Sequence, residues 1–212
     1  MTTTLDAVIS FVRDEVNRGA SADNVIPVKI MQAIQFIERN TNWKYMQKIF
    51  EFDLFTNASL EAPYILVDNL KEIEFVRIVD VSLEGVANYC YLEEYYSPKD
   101  QKTIKIGNPD KFYRQGSGHV WFNAIPSEAL DMHVGFYQFT GTLQIDQSCW
   151  LFDNALDVII AKTMQLMAPW LRQPMLVGAY EPMLQTGMKT LFKANEDAKL
   201  TAPVRVGDLN AN

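Results

Sequence analysis

Leu151-Phe152-Asp153-Asn154-Ala155-Leu156-Asp157-Val158-Ile159-Ile160-Ala161-Lys162-Thr163-Met164-Gln165-Leu166-Met167-Ala168-Pro169-Trp170-Leu171 reads as one helix with very little polar surface. Leu156, Val158, Ile159, Ile160, Met164, Leu166, Met167 and Trp170 cover most of its circumference. A helix apolar nearly all round must be buried on more than one side. Asp153, Asp157, Lys162 and Gln165 interrupt the run, so a membrane span is not expected. Immediately upstream the pattern is β. Asp110-Lys111-Phe112-Tyr113-Arg114 is joined through Gly116-Ser117-Gly118 to His119-Val120-Trp121-Phe122-Asn123, then Ala124-Ile125-Pro126. The two glycines supply the positive φ angles of a tight connection, which makes residues 112–122 a hairpin. Residues 130–140 alternate as a strand with apolar groups on both faces, so both faces should be covered.

Working toward the N-terminus, Leu5, Val8, Ile9, Val12 and Val16 recur at helical spacing, with Thr3 or Thr4 as cap. A second helix opens at Pro27, tolerated in a first turn, and carries Ile30, Met31, Ile34 and Ile37. Trp43 and Tyr45 should dock its exit. Strands are predicted near residues 48–55, 64–67, 70–81 (with a helical turn possible at its start) and 89–96. At the other end, Tyr180, Leu184, Met188, Leu191 and Ala198 stripe a last helix. Pro182 inside that stripe predicts a kink, or a true start near Glu181. The fold class is therefore α+β: helices at about 4–17, 27–40, 151–171 and 176–199 around a β-rich insertion at about 48–141. Residues 1–200 read as a single domain, followed by an aperiodic tail at 201–212.

The 212 residues are 48% apolar and 21% charged, enough for a globular core. A net charge of −7 argues against bulk nucleic-acid binding, which needs clustered cations. Cys90 and Cys149 form no disulfide framework, and apolar neighbours make both read as buried free thiols. The opening Met1-Thr2-Thr3-Thr4-Leu5-Asp6 has no signal-peptide pattern, so folding in a reducing cytoplasm is expected.

Chemistry is hard to find. Cys90, His119, His133 and Cys149 lack the short paired spacings of structural zinc sites. Ser117 lies between glycines, but a nucleophile elbow needs Gly-x-Ser-x-Gly at a strand-to-helix turn. Glu93 and Glu94 fall on opposite faces of a strand and cannot act as a pair. Tyr89, Tyr91, Tyr95, Tyr96, Phe112, Tyr113, Trp121 and Phe122 would suit base stacking if cations were interleaved. Lys99, Lys102, Lys105, Lys111 and Arg114 are offset by Glu93, Glu94, Asp100 and Asp110, which favours sheet core and a protein interface. Met164, Met167, Met175, Met183 and Met188 concentrate in the last two helices, as core and as adaptable contact surface. No catalytic, cofactor-binding or metal residue is assigned.

Two N-terminal helices, Asn42-Trp43 after the second, the run from Phe112 to Pro126, a strand ending near Thr140, and Trp150-Leu151-Phe152-Asp153-Asn154 opening two long helices form a sequence signature. Over nearly the whole chain it resembles the bacteriophage head-to-tail adaptor family, also called head completion, connector or tail tubular A-type proteins. The resemblance implies a homo-oligomeric ring of twelve subunits under the capsid portal protein. Such a ring would bind the tail or next neck protein, lie in the virion and continue the DNA channel without gripping sequence. Ring neighbours would then cover the apolar helix. The tail, through Thr201, Pro203, Val204, Arg205, Val206 and Leu209, is expected to dock on the portal. Tyr95, Tyr96, Lys111 and Arg114 are expected to touch a ring neighbour or the tail. Another neck or tail-completion protein, binding the tail rather than the portal, is the alternative. A small hydrolase using Ser117 or a metal is remote.

Overall fold

A computed structural model of the chain describes residues 3–16, 22–55, 64–81, 87–95, 105–116 and 118–200. The chain folds as two compact units. One holds the described residues up to Met46 and those from Thr140 onward, and the other holds the described residues of Gln47–Phe139.

The first unit is helical: α1 (Leu5–Val16), α2 (Ile26–Asn40), a 3-10 turn (Lys44–Met46), α3 (Trp150–Asn154), α4 (Leu156–Leu171) and α5 (Met175–Leu200). In α1 the five residues at helical spacing are the buried ones. Asp6 in its first turn and Arg13 in its last complement the helix dipole. Pro27 sits in the first turn of α2, as its missing N–H allows. At the other end of α2, the fully buried Trp43 donates from Nε1 to the Ile37 carbonyl at 2.9 Å, satisfying a C-terminal acceptor that the helix cannot.

The long apolar helix is in fact two. Ala155 leaves helical geometry (φ −153°, ψ 42°), closing α3 before α4 begins. Asn154 Nδ2 donates to the Trp150 carbonyl at 2.6 Å, the local side-chain competition that ends a helix. Val158, Ile159, Ala161, Met164 and Met167 of α4 are buried. Their cover comes from α1, α2 and α5 of the same unit, whereas Trp170 near the end of α4 is 39% exposed.

Pro182 neither starts nor interrupts α5, which runs continuously from Met175 to Leu200. Gln165 of α4 supports the turn that a proline weakens: its Nε2 donates to the Val177 carbonyl (3.3 Å) and to Glu181 Oε2 (2.7 Å). Hydrogen bonds from Gln185 first and Gln165 second hold the Glu181 carboxyl below its usual range.

The second unit contains β1 (Gln47–Leu54), β2 (Tyr64–Leu66), β3 (Leu70–Val81), β4 (Ala87–Tyr91), β5 (Glu93–Glu94), β6 (Lys105–Ile106), β7 (Lys111–Gln115), β8 (His119–Phe122), β9 (Ala124–Ile125) and β10 (Leu130–Gln138). Residues 70–81 are strand from the outset, with no helical turn. One sheet has the order β1-β10-β3-β4 and is antiparallel throughout. Another has the order β2-β8-β7-β5, and β6 pairs β9 in a short parallel ribbon.

The core joins the inner faces of the two larger sheets. Val76, Met132, Val134 and Phe136 on one meet Phe112, Val120 and Phe122 on the other. Full burial of each such side chain contributes about 1.5–3 kcal/mol. Both faces of β10 are covered, as its pattern requires: Tyr137 is buried, and the Phe75 ring lies where a Cβ on Gly135 would be. Both glycines of the hairpin take the expected positive φ, Gly116 at 63° and Gly118 at 102°.

Candidate functional site

Alternation along β7 and β8 divides their aromatics between two faces. Phe112 and Phe122 point into the core and pair across the strands. Tyr113 and Trp121, one residue on in each strand, lie on the opposite face, where Trp121 also pairs with Tyr64 of β2. The result is an aromatic row across three strands: Tyr64–Trp121 ring centroids are 4.5 Å apart, and Tyr113–Trp121 are stacked at 6.2 Å. His119 and Leu66 form the next row, with the imidazole 5.4 Å from Tyr64. Tyr64 and Leu66 are half exposed, whereas burial raises the Tyr113 hydroxyl above its ordinary range. Trp121 Nε1 is buried with no hydrogen-bond acceptor among the described residues.

Three of the residues expected at an interface flank this row. Tyr95 is tied to β7 by its amide, which donates to the Phe112 carbonyl at 2.7 Å. Lys111 Nζ lies 5.5 Å from the Tyr95 ring centroid, and the Arg114 guanidinium donates to the Lys71 carbonyl at 3.2 Å. Thus Tyr95 and Lys111 come together, while Arg114 reaches the other way. Tyr96, Ser117 and the tail residues Thr201, Pro203, Val204, Arg205, Val206 and Leu209 lie outside the described residues.

The open end of the hairpin is clamped by Asn123, another residue of the signature. Its Oδ1 accepts from the Asp110 and Lys111 amides (3.2 and 3.0 Å), and its Nδ2 donates to Asp110 Oδ1 at 2.5 Å. That last bond is the main reason the Asp110 carboxyl sits below its usual range. In the helical unit Trp43 and Trp150, also signature residues, meet at 5.9 Å and are joined by Tyr45 and Phe192.

The four metal-type residues are dispersed. Cys90 is on β4, His119 on β8 and His133 on β10, where Arg77 stands 3.1 Å from its Nδ1; Cys149 precedes α3. Among the described residues no group of three His, Cys, Asp or Glu is placed to hold a metal ion. Nor is any described helix long and apolar enough to cross a membrane. Glu93 and Glu94 are exposed on β5, opposite Lys111 and Phe112. Two of the shallow clefts formed by described residues lie on the helical unit. One, of about 460 Å³, is lined by Tyr45, Asp157, Met183 and Thr190; the other, of about 550 Å³, is lined by Gln32, Phe36, Arg39 and Lys162.

Cys90 is exposed rather than buried, on β4, which has no strand on its outer side among the described residues. Cys149 is largely buried, and desolvation pushes its thiol up to about 11. In folded protein at pH 8, an alkylating reagent should therefore modify Cys90 and leave Cys149 unmodified at least tenfold longer. The thiolate of Cys149 becomes abundant only as pH approaches its raised value. Peptide mass mapping checks this, and equal labelling of both thiols would contradict the burial.

The sequence identified the aromatic cluster but not its outward row. The signal was the alternation in register, Phe112 and Phe122 inward against Tyr113 and Trp121 outward. Reading it required knowing that β2 pairs β8. Comparison with family models and with curated proteins finds no match. Among solved structures, a chain of the one described as "Neck of empty GTA particle computed with C6 symmetry" is similar over 78% of this chain and 81% of that chain, with TM-score 0.26 and 12% identity.

Proposed function

We propose that this chain is a structural virion protein, a ring adaptor of twelve copies between the capsid portal and the tail, without chemistry of its own. The observation that carries the reading is the unpartnered apolar surface. Tyr64 and Leu66 extend the aromatic row on one unit, and Met175 and Val177 stand exposed at the start of α5 on the other. Exposed apolar side chains grouped in this way on each unit suit protein contacts. The order of elements supports it as well: two helices, a β-rich insertion and two long helices are the arrangement on which the adaptor resemblance rests. An acidic chain of net charge −7 suits a channel through which DNA passes without being held.

In this reading residues 1–200 act as one adaptor domain. Thr201 to Leu209, with α5, dock on the portal. Tyr95, Tyr96, Lys111 and Arg114 meet a ring neighbour or the tail. The protein is made in the host cytoplasm and resides at the head–tail junction.

Light scattering on the protein alone and mixed with its cognate portal tests the proposal. A ring mass, spontaneous or appearing only with portal, is expected; a monomer that ignores the portal overturns it. Deleting residues 201–212 should abolish portal binding while leaving the helical circular-dichroism signal unchanged. Retained binding would reject the docking role of the tail.

A further inference from the structure

The sheet β1-β10-β3-β4 has two open edges, and neither β1 nor β4 has another strand beside it among the described residues. Proteins guard such edges with lysine, proline or bulges. Strand β4, Ala87-Asn88-Tyr89-Cys90-Tyr91, carries none of these guards, and Tyr89 and Tyr91 are 47% and 43% exposed. On β1, Ile49 and Phe50 are 54% and 44% exposed. We infer that these two edges are the two halves of one interface: β4 of each copy adds antiparallel to β1 of the next. The inference rests on the ring reading and specifies how its copies join.

Three features of the sheet lead to it. All its pairings are antiparallel and it has four strands, so β1 and β4 run in opposite directions. A copy related by rotation about an axis along the strands therefore presents β1 antiparallel to β4, and the contact can repeat around a ring.

Hydrogen-bond phase agrees. Leu92 N donates to the Val76 carbonyl at 2.9 Å, so alternate residues of β3 and β4, Val76 and Ile78 with Leu92 and Cys90, bond to each other. Carrying that alternation through the registers turns the backbone groups of Tyr89 and Tyr91 outward on one edge and those of Ile49, Glu51 and Asp53 outward on the other, with no strand beside them among the described residues. Both sets lie on the same sheet face, in line with the row Glu51–His133–Arg77–Tyr91.

Charge and shape select the register. With Cys90 opposite the next copy's Phe50, Tyr91 covers that copy's Ile49. Tyr89 then faces its Glu51, next to the Arg77 guanidinium that lies 3.8 Å over the Tyr89 ring. Sliding by two residues one way would put Cys90 against Lys48 and lose the Glu51–Arg77 approach; sliding the other way would keep that approach but set the exposed Ile49 opposite Glu93, without the cover of a tyrosine ring.

The register is tested with the native thiol of Cys90. It falls in a non-hydrogen-bonded pair with position 50, where Cα atoms are about 4.5 Å apart and a disulfide fits. In full-length Phe50→Cys assembled with portal, mild oxidation should give a ladder of covalent oligomers beyond the dimer, with peptide mapping linking positions 50 and 90. Adding Cys90→Ser should remove the ladder. Lys48→Cys should give at least tenfold less product. As an independent check on folded protein, Cys90→Lys should raise the concentration needed for assembly at least tenfold without changing the circular-dichroism spectrum. Rings that form yet give no 50–90 link, or only 50–50 dimers, overturn this interface and leave the ring reading intact. Protein that stays monomeric with portal overturns both.

Discussion

Replacing Glu38 by alanine is expected to cost about 3–5 kcal/mol, a large share of the roughly 5–15 kcal/mol that a domain commonly has. Glu38 is fully buried on α2, and its carboxylate oxygens accept from the Thr140 amide at 3.1 and 3.2 Å, from Thr140 Oγ1 at 2.5 Å and from Trp150 Nε1 at 3.1 Å. Alanine would strand all three donors away from water, and donors bonded to a charged acceptor lose most. The damage would spread to the ring cluster, because Trp150 stacks on Tyr45 and packs on Trp43. Glu38→Gln keeps the volume but turns a donor toward donors, so about 1–2 kcal/mol is expected. Urea denaturation followed by tryptophan fluorescence measures both. A loss below about 1 kcal/mol for Glu38→Ala would mean that water replaces the carboxylate, contrary to its burial.

Gly118→Ala should cost about 3 kcal/mol, and Gly116→Ala only about 1 kcal/mol, although both glycines have positive φ. The difference is what each Cβ would meet. At Gly116 there is open space, so alanine bears only the backbone penalty. At Gly118 a Cβ would collide with the Val67 carbonyl oxygen, at a φ of 102° that L-residues rarely adopt. The close approach is structural: the Val67 amide donates to the Gly118 carbonyl at 2.9 Å, which holds β2 against β8. Relief of the clash would pull Tyr64 away from Trp121, so loss of the aromatic row should accompany loss of stability. Equal costs at the two glycines would show that backbone strain alone governs the turn.

Local pattern carried much of this architecture. Two glycines flanking Ser117 were enough for the hairpin, and the spacing of Leu5, Val8, Ile9, Val12 and Val16 for α1, because neighbours in sequence settle both. The break at Ala155 escaped, since nothing in Asn154-Ala155 forbids helix until the Asn154 side chain takes the Trp150 carbonyl. Pro182 misled in the opposite sense: α5 continues through it, and the turn before it is held by Gln165, a residue on another helix. Cys90 reads as core in any scheme that counts apolar neighbours, and only the order of strands reveals an edge. The outward row of Tyr64, Trp121 and Tyr113 depends on the same non-local fact.

The pairing of β1 with β10 also sets a timetable. Gln47 lies opposite Tyr137, 90 residues later in the chain, and no other strand beside β1 is found among the described residues. At roughly 5–20 residues per second, the ribosome needs roughly 5–18 s after making β1 before its partner exists. Throughout that interval Ile49, Phe50 and Phe52 sit on a nascent strand with both sides unsatisfied. Closing so long a loop is also slow in its own right. Yield of this protein in a cell should therefore depend on synthesis rate and on chaperones that shield short apolar strands more than on the stability of the finished fold.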